Sequence, residues 1–223
     1  MTLSRRVAIL GLLFAAAVPT TAPAAGAAVS PPSAAAPALS SDDARDVARI
    51  VDYLQGLTSA KSRFTQTDAR GAQSQGTFYL QRPGRARFEY DPPSGLVIAS
   101  DGRNVTVVDR RLKTKHVYPL GSTPLALFLA RNIRLDRGVV VRQVVHDGGS
   151  VTVVAEDAKG KAKGQISLTF SETPLALAGW AVKDARGGVV RVRLAGLAHA
   201  SPHDPSYFEL PNPRTTPDPD SSR

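Results

Sequence analysis

The chain has 223 residues, no cysteine, and 28 Lys and Arg against 19 Asp and Glu, a formal charge of +9. Without thiols there is no disulfide framework, no zinc–thiolate site, no catalytic thiol and no sulfur to carry a lipid, so stability must come from an ordinary core. Roughly 170 residues lie between compositionally biased ends, enough for one domain.

At the start, Arg5 and Arg6 precede an apolar run from Val7 to Val18 and then small residues through Ala28. That pattern predicts a secretory signal peptide over 1–28, too short to span a bilayer, with Ala25-Gly26-Ala27 as a small-x-small cleavage site. Ser4-Arg5-Arg6 looks like a twin-arginine start, but Ala8 and Leu10 fit the following positions poorly, so the general export route is expected. Losing Arg5 and Arg6 takes the charge from +9 to +7. For an exported basic protein, anionic head groups or acidic proteins are better partners than nucleic acid, and solubility alone is the bland reading.

Residues 29–40 are Ala/Pro/Ser-rich and predict a flexible lead-in; 212–223 predict a polar, proline-rich tail. The domain is expected over 41–211. It opens with a helix that Ser41 caps, Asp42 and Asp43 favour, and Ala44, Val47, Ala48, Val51 and Leu54 make amphipathic.

From Lys61 the period changes to two. Phe78 and Leu80 share one face of a strand, and Ala86, Phe88 and Tyr90 alternate with Arg85, Arg87 and Glu89. Strands are predicted at 95–100, 104–109, 112–118, 139–146, 150–156, 164–170, 177–183 and 189–194. Asp101-Gly102, Asp147-Gly148-Gly149 and Gly187-Gly188 supply tight turns, so neighbours are antiparallel and the sheet is long enough to curl. Thr123 as N-cap and Pro124 at the first position predict one short helix with Leu125, Phe128 and Leu129 on one face. It is either a cover over the core or a packed connection.

No enzyme signature occurs, and the chain is read as a non-enzyme with no cofactor. The glycine spacing of Gly71 to Thr77 lacks the P-loop lysine and is more simply a turn. His199 and His203 are four apart, but Pro202 argues against the helix that would aim both at one metal; His116 and His146 have no companion motif. Arg82 falls by parity on the apolar face of Phe78 and Leu80. It either bonds to carboxylate or carbonyl groups at the strand end or escapes to solvent before the bend at Pro83-Gly84. Arg110, Arg111, Lys113 and Lys115, with Arg191 and Arg193, form basic stretches that either meet acidic or lipid partners or are simply solvated.

Arg63-Phe64-Thr65-Gln66, the run Gly76 to Tyr90, Ser100-Asp101-Gly102 and Thr123 to Leu129, in that order, resemble the outer-membrane lipoprotein carrier family (LolA). The usual aromatic after the arginine-proline turn is replaced around Ala86, and the tail is not a shared motif. The resemblance implies a mainly β protein, an incomplete antiparallel barrel or strongly curved sheet covered by short helices. It implies a monomeric periplasmic carrier that takes lipoproteins from an inner-membrane ABC-type release complex toward the outer membrane, where an acceptor is possible. Acyl chains would occupy an apolar cavity, with Phe64, Phe78, Leu80, Phe88, Tyr90, Leu125, Leu127 and Phe128 as cavity or lid residues. Arg82 would close the lid and gate the cargo. A lipoprotein-sensing module on the same half-barrel is a second reading, and a periplasmic lipid hydrolase, lacking any recognisable nucleophile and base, a third.

Overall fold

The computed structural model describes residues 39–123, 125–134, 139–158, 164–184 and 186–211. The expected leader, the lead-in up to residue 38, Pro124 and the tail 212–223 lie outside them, as does the side chain of Leu127.

Helix α1 spans Ser41–Gly56, and its cap is Ser40, one residue before the expected Ser41: the Ser40 hydroxyl accepts from Asp43 N at 3.1 Å. The buried face also differs from expectation. Ile50 and Leu54 are buried, Val47 and Val51 half-buried, and Ala44 and Ala48 exposed. Ile50 turns the apolar stripe away from the alanines, whose single methyls gain little from burial.

The strands follow with short links: β1 Ser59–Thr67, β2 Gln73–Gln81, β3 Arg85–Tyr90, β4 Leu96–Asp101, β5 Asn104–Asp109 and β6 Thr114–Pro119. A 3-10 turn, Leu120–Ser122, and the five-residue helix α2, Leu125–Leu129, then lead to β7 Val139–Asp147, β8 Ser150–Asp157, β9 Gln165–Glu172, β10 Leu175–Lys183, β11 Val189–Leu194 and β12 Ala198–His199. All pair antiparallel in the order β6-β5-β4-β3-β2-β1-β11-β10-β9-β8-β7, with β12 beside the start of β1. Strands β6 and β7 are the free edges, so the sheet is an unclosed barrel.

Its curvature can be read from two side chains. Phe88 on β3 and Trp180 on β10 are four strands apart, about 19 Å across a flat sheet, yet their rings are 6.0 Å apart. The sheet therefore wraps the face that carries Phe64, Phe78, Leu80, Phe88, Phe170 and Leu177, all buried. Gly76 admits the Phe64 ring opposite it: a Cβ there would lie 2.7 Å from that ring and 2.2 Å from Glu89 O.

Thr123 does not cap α2 as expected. Its hydroxyl donates to Leu120 O at 2.8 Å, closing the preceding 3-10 turn. After β12 the chain crosses the outer face: Leu210 joins Val97, Ala99 and Val108 in a second small core, which is why β4 is buried on both faces up to Ser100. A 3-10 helix, Pro205–Phe208, seats this strap, with Arg87 Nη1 donating to Tyr207 O at 2.6 Å and His203 stacked on Tyr207 at 4.4 Å. His203 N donates to Gln81 Oε1 at 2.7 Å, while His199 lies on β12, so the two histidines serve separate structural ends.

Candidate functional site: a guanidinium latch over an aromatic interior

The antiparallel order brings the end of β2, the start of β3 and the end of β4 to one end of the sheet, together with the start of β1 that leads out of α1. Arg82 sits there, immediately past β2. Its backbone N donates to Thr58 O at 2.7 Å, which fixes the side chain beneath the helices. The guanidinium spans both of them: Nη1 donates to Leu54 O in the last turn of α1, and Nη2 donates to Ala130 O at 2.6 Å and, more weakly, to Arg131 O at 3.4 Å, just past α2. Of the two readings open at the sequence level, the carbonyl-bonded one holds.

Helix C-termini present unpaired carbonyls and a partial negative charge, so a cation there satisfies both at once. Arg82 is half-buried, and desolvation lowers its pKa from the ordinary guanidinium value, though arginine stays charged in proteins. Its Nε is buried and has no hydrogen-bond partner among the described residues. The latch is therefore held by backbone acceptors and carries one unsatisfied donor, which keeps its net stabilisation small.

Two further contacts tie the same segment. Gly84 N donates to Leu129 O at 2.8 Å. Gln55 of α1 binds 131–133 reciprocally, its Nε2 donating to Arg131 O at 2.9 Å and its Oε1 accepting from Ile133 N at 3.0 Å. Gly84 has φ +79° and packs on the β4–β5 turn, where a Cβ would lie 2.6 Å from the Cα of Gly102.

Below the latch the rings touch one another. Phe78 packs on Phe88 at 4.7 Å, Phe64 meets Phe88 at 5.7 Å and Tyr90 at 5.1 Å, and Trp180 meets Phe78 at 5.6 Å and, stacked, Phe128 of α2 at 6.3 Å. Tyr53 of α1 is edge-on to Phe170 at 6.0 Å and accepts from Leu177 N at 3.1 Å. The hydroxyl of Tyr90 donates to Gln66 Oε1 at 2.7 Å, and burial pushes its pKa well above the phenol range, so it remains a neutral donor.

The predicted residues Phe64, Phe78, Leu80, Phe88, Tyr90, Leu125 and Phe128 thus fall into one buried cluster, beneath the helices that Arg82 joins. Trp180 and Phe170 belong to the same cluster but escaped the sequence reading. Parity from Leu177 puts Trp180 on the outer face; a bulge between Leu177 and Gly179 returns it to the inner one. His146 likewise gained partners no motif announced: Nδ1 lies 2.9 Å from Glu172 Oε1 and Nε2 3.3 Å from Asp46 Oδ2 of α1.

Residues 55–211 match the family model described as outer membrane lipoprotein carrier protein LolA. The chain belongs to this family. Curated LolA relatives named outer-membrane lipoprotein carrier protein include those of Cupriavidus taiwanensis, 26% identical over 74% of this chain and 83% of the relative, and Methylococcus capsulatus, 28% identical over the same shares. The relative from Leptothrix cholodnii is 35% identical over 40% of this chain and 47% of its own. Among solved structures, a LolA superfamily protein from Nitrosomonas europaea aligns with a TM-score of 0.42 at 9% identity, covering 73% of this chain and 97% of that one. No helix among the described residues is long and apolar enough to cross a membrane.

Proposed function

We propose that this LolA-family protein is a periplasmic carrier of lipoproteins, without catalytic activity, that shelters their acyl chains against the aromatic face and is shut by Arg82 when empty. The observation that carries this reading is the position of one guanidinium between the C-terminal carbonyls of α1 and the segment after α2, directly above the joined rings. Moving a methylene from a membrane into water costs about 0.8 kcal/mol, so three long acyl chains cost on the order of 30 kcal/mol. Unassisted crossing is excluded, and an apolar enclosure removes that cost.

Delivery then needs two states that differ in affinity for cargo. In the closed state the rings of Phe78, Phe88, Phe128 and Trp180 satisfy one another, and the latch offsets the loss of cargo contacts. Acyl chains entering between sheet and helices separate Phe128 from Trp180 and break the Arg82 bonds. Re-closure then favours release: to an outer-membrane acceptor on arrival, with the inner-membrane release complex, an ATP-driven donor, supplying the load. The protein acts as a monomer in this cycle.

Mass spectrometry of the protein recovered from the periplasm, after delivery to the outer membrane has been blocked, tests the proposal. The expected result is co-purified, triacylated lipoprotein. Recovery of lipid-free protein alone would overturn it.

A further inference from the structure

Beside the latch lies a cleft of about 510 Å³, outside the aromatic cluster and walled by the first residue of β3, the β4–β5 turn and the segment around α2. Its chemistry is divided. Leu120 and Leu129 supply an apolar wall, whereas three arginines, Arg85, Arg103 and Arg131, line the same cleft. None of the three guanidiniums has a hydrogen-bond or ion-pair partner among the described residues. The one carboxylate, Asp101, faces Arg85 across the β3–β4 ladder but is engaged elsewhere: its Oδ1 accepts from Arg103 N and Asn104 N at 2.7 Å each. Among the described residues, the lining of the cleft therefore carries a net formal charge of about +2.

Planar guanidiniums bind phosphate oxygens in pairs, and an apolar wall beside a cationic rim suits a molecule that is charged at one end and greasy just behind it. We propose that this cleft binds the phosphodiester head group of an anionic phospholipid at a membrane surface. Its wall is the segment that Arg82 and Gly84 hold, since Leu129 O accepts from Gly84 N and the Arg131 and Ala130 carbonyls accept from Arg82. A head group seated there draws on the Arg131 side chain and so bears on the latch from outside. The inference goes beyond the carrier reading and does not depend on it, because it requires neither cargo nor transfer.

The test is flotation of the full chain with vesicles of phosphatidylcholine alone or with phosphatidylglycerol added, for the unaltered protein, the triple variant R85Q/R103Q/R131Q, and a control, R110Q/R111Q, altered at exposed positions outside the cleft. Binding is expected only to the phosphatidylglycerol vesicles, weakened at least about tenfold in the triple variant and less than twofold in the control. The single variant Arg103→Gln, on an exposed turn, is expected to show a partial loss and guards against misfolding of the triple variant. Equal capture by phosphatidylcholine, or equal loss in the control, overturns the proposal. So does full displacement by millimolar inorganic phosphate, which would assign the site to a free anion, or a Glu-rich peptide binding the cleft when vesicles do not, which would assign it to an acidic protein. A chain that fails to carry lipoproteins but passes this test leaves the inference standing, so the two readings fail separately.

Discussion

The two helices over the sheet are built on different terms. α1 has 16 residues, a serine cap, two aspartates in its first turn and two side chains sunk into the core. α2 has five residues and is anchored at its C-terminal end by groups that belong to the sheet, Gly84 N to its last carbonyl and Arg82 just beyond. Helices shorter than about 12 residues do not persist on their own in water, so α2 exists because the sheet grips it. Of the two covering helices, α2 is the one whose stability is borrowed from the sheet.

That contrast can be broken from either side. The largest effect is expected from Leu54→Ala, which empties the α1 contact with the core and should cost about 2–5 kcal/mol of global stability, read as a lowered denaturation midpoint. Arg82→Leu should act locally. Removing a charged donor that is itself partly unsatisfied costs the closed state only about 1–2 kcal/mol, seen as faster amide hydrogen exchange across residues 125–133 with little change in the global midpoint. Under the proposed carrier cycle the closed form competes with cargo, so the same variant should retain bound lipoprotein and pass it on at least about tenfold less well. Normal transfer would remove Arg82 from the mechanism. Ser40→Ala should cost about 1 kcal/mol, confined to the first turns of α1.

The smallest effect is a pH dependence of α1 docking. His146 is held above its ordinary pKa chiefly by its hydrogen bond to Glu172, then by the charges of Asp46, Glu172 and Asp43; Asp46 is also paired with Arg49 at 3.1 Å. The protonated ring bridges the sheet to α1. Its contribution is fully present below the unfolded value of about 6.5 and is lost as pH rises through the higher folded value. Exchange in the N-terminal half of α1, corrected for intrinsic rate, should therefore increase from pH 6 to pH 8, and His146→Gln should abolish the trend while leaving α2 unaffected.

Most of the sheet was legible because alternation and turn glycines are local signals. The strands predicted at 104–109 and 189–194 match β5 and β11 residue for residue, and the other six predicted ranges differ by one or two residues at one or both ends. Arg82 was legible for the same reason, since a charge on the apolar parity of Phe78 and Leu80 demands acceptors. The misses were non-local. Trp180 was hidden by a bulge, which reverses parity without changing composition. The partners of His146 come from β9 and from α1, about a hundred residues earlier, and the clustering of Arg85, Arg103 and Arg131 depends on three separate turns meeting at one end. Ser40 and Ser41 are chemically equivalent as caps, and only the backbone geometry chooses between them.

An unclosed barrel also leaves two strand edges exposed to the solution, each an invitation for a second molecule to add its own strand. Here both edges are interrupted. β6 ends in Pro119, which has no N–H to offer, and β7 is broken by a bulge between Val141 and Gln143 and carries Arg142. Both free edges of the sheet thus carry features that discourage a second copy from adding a strand there.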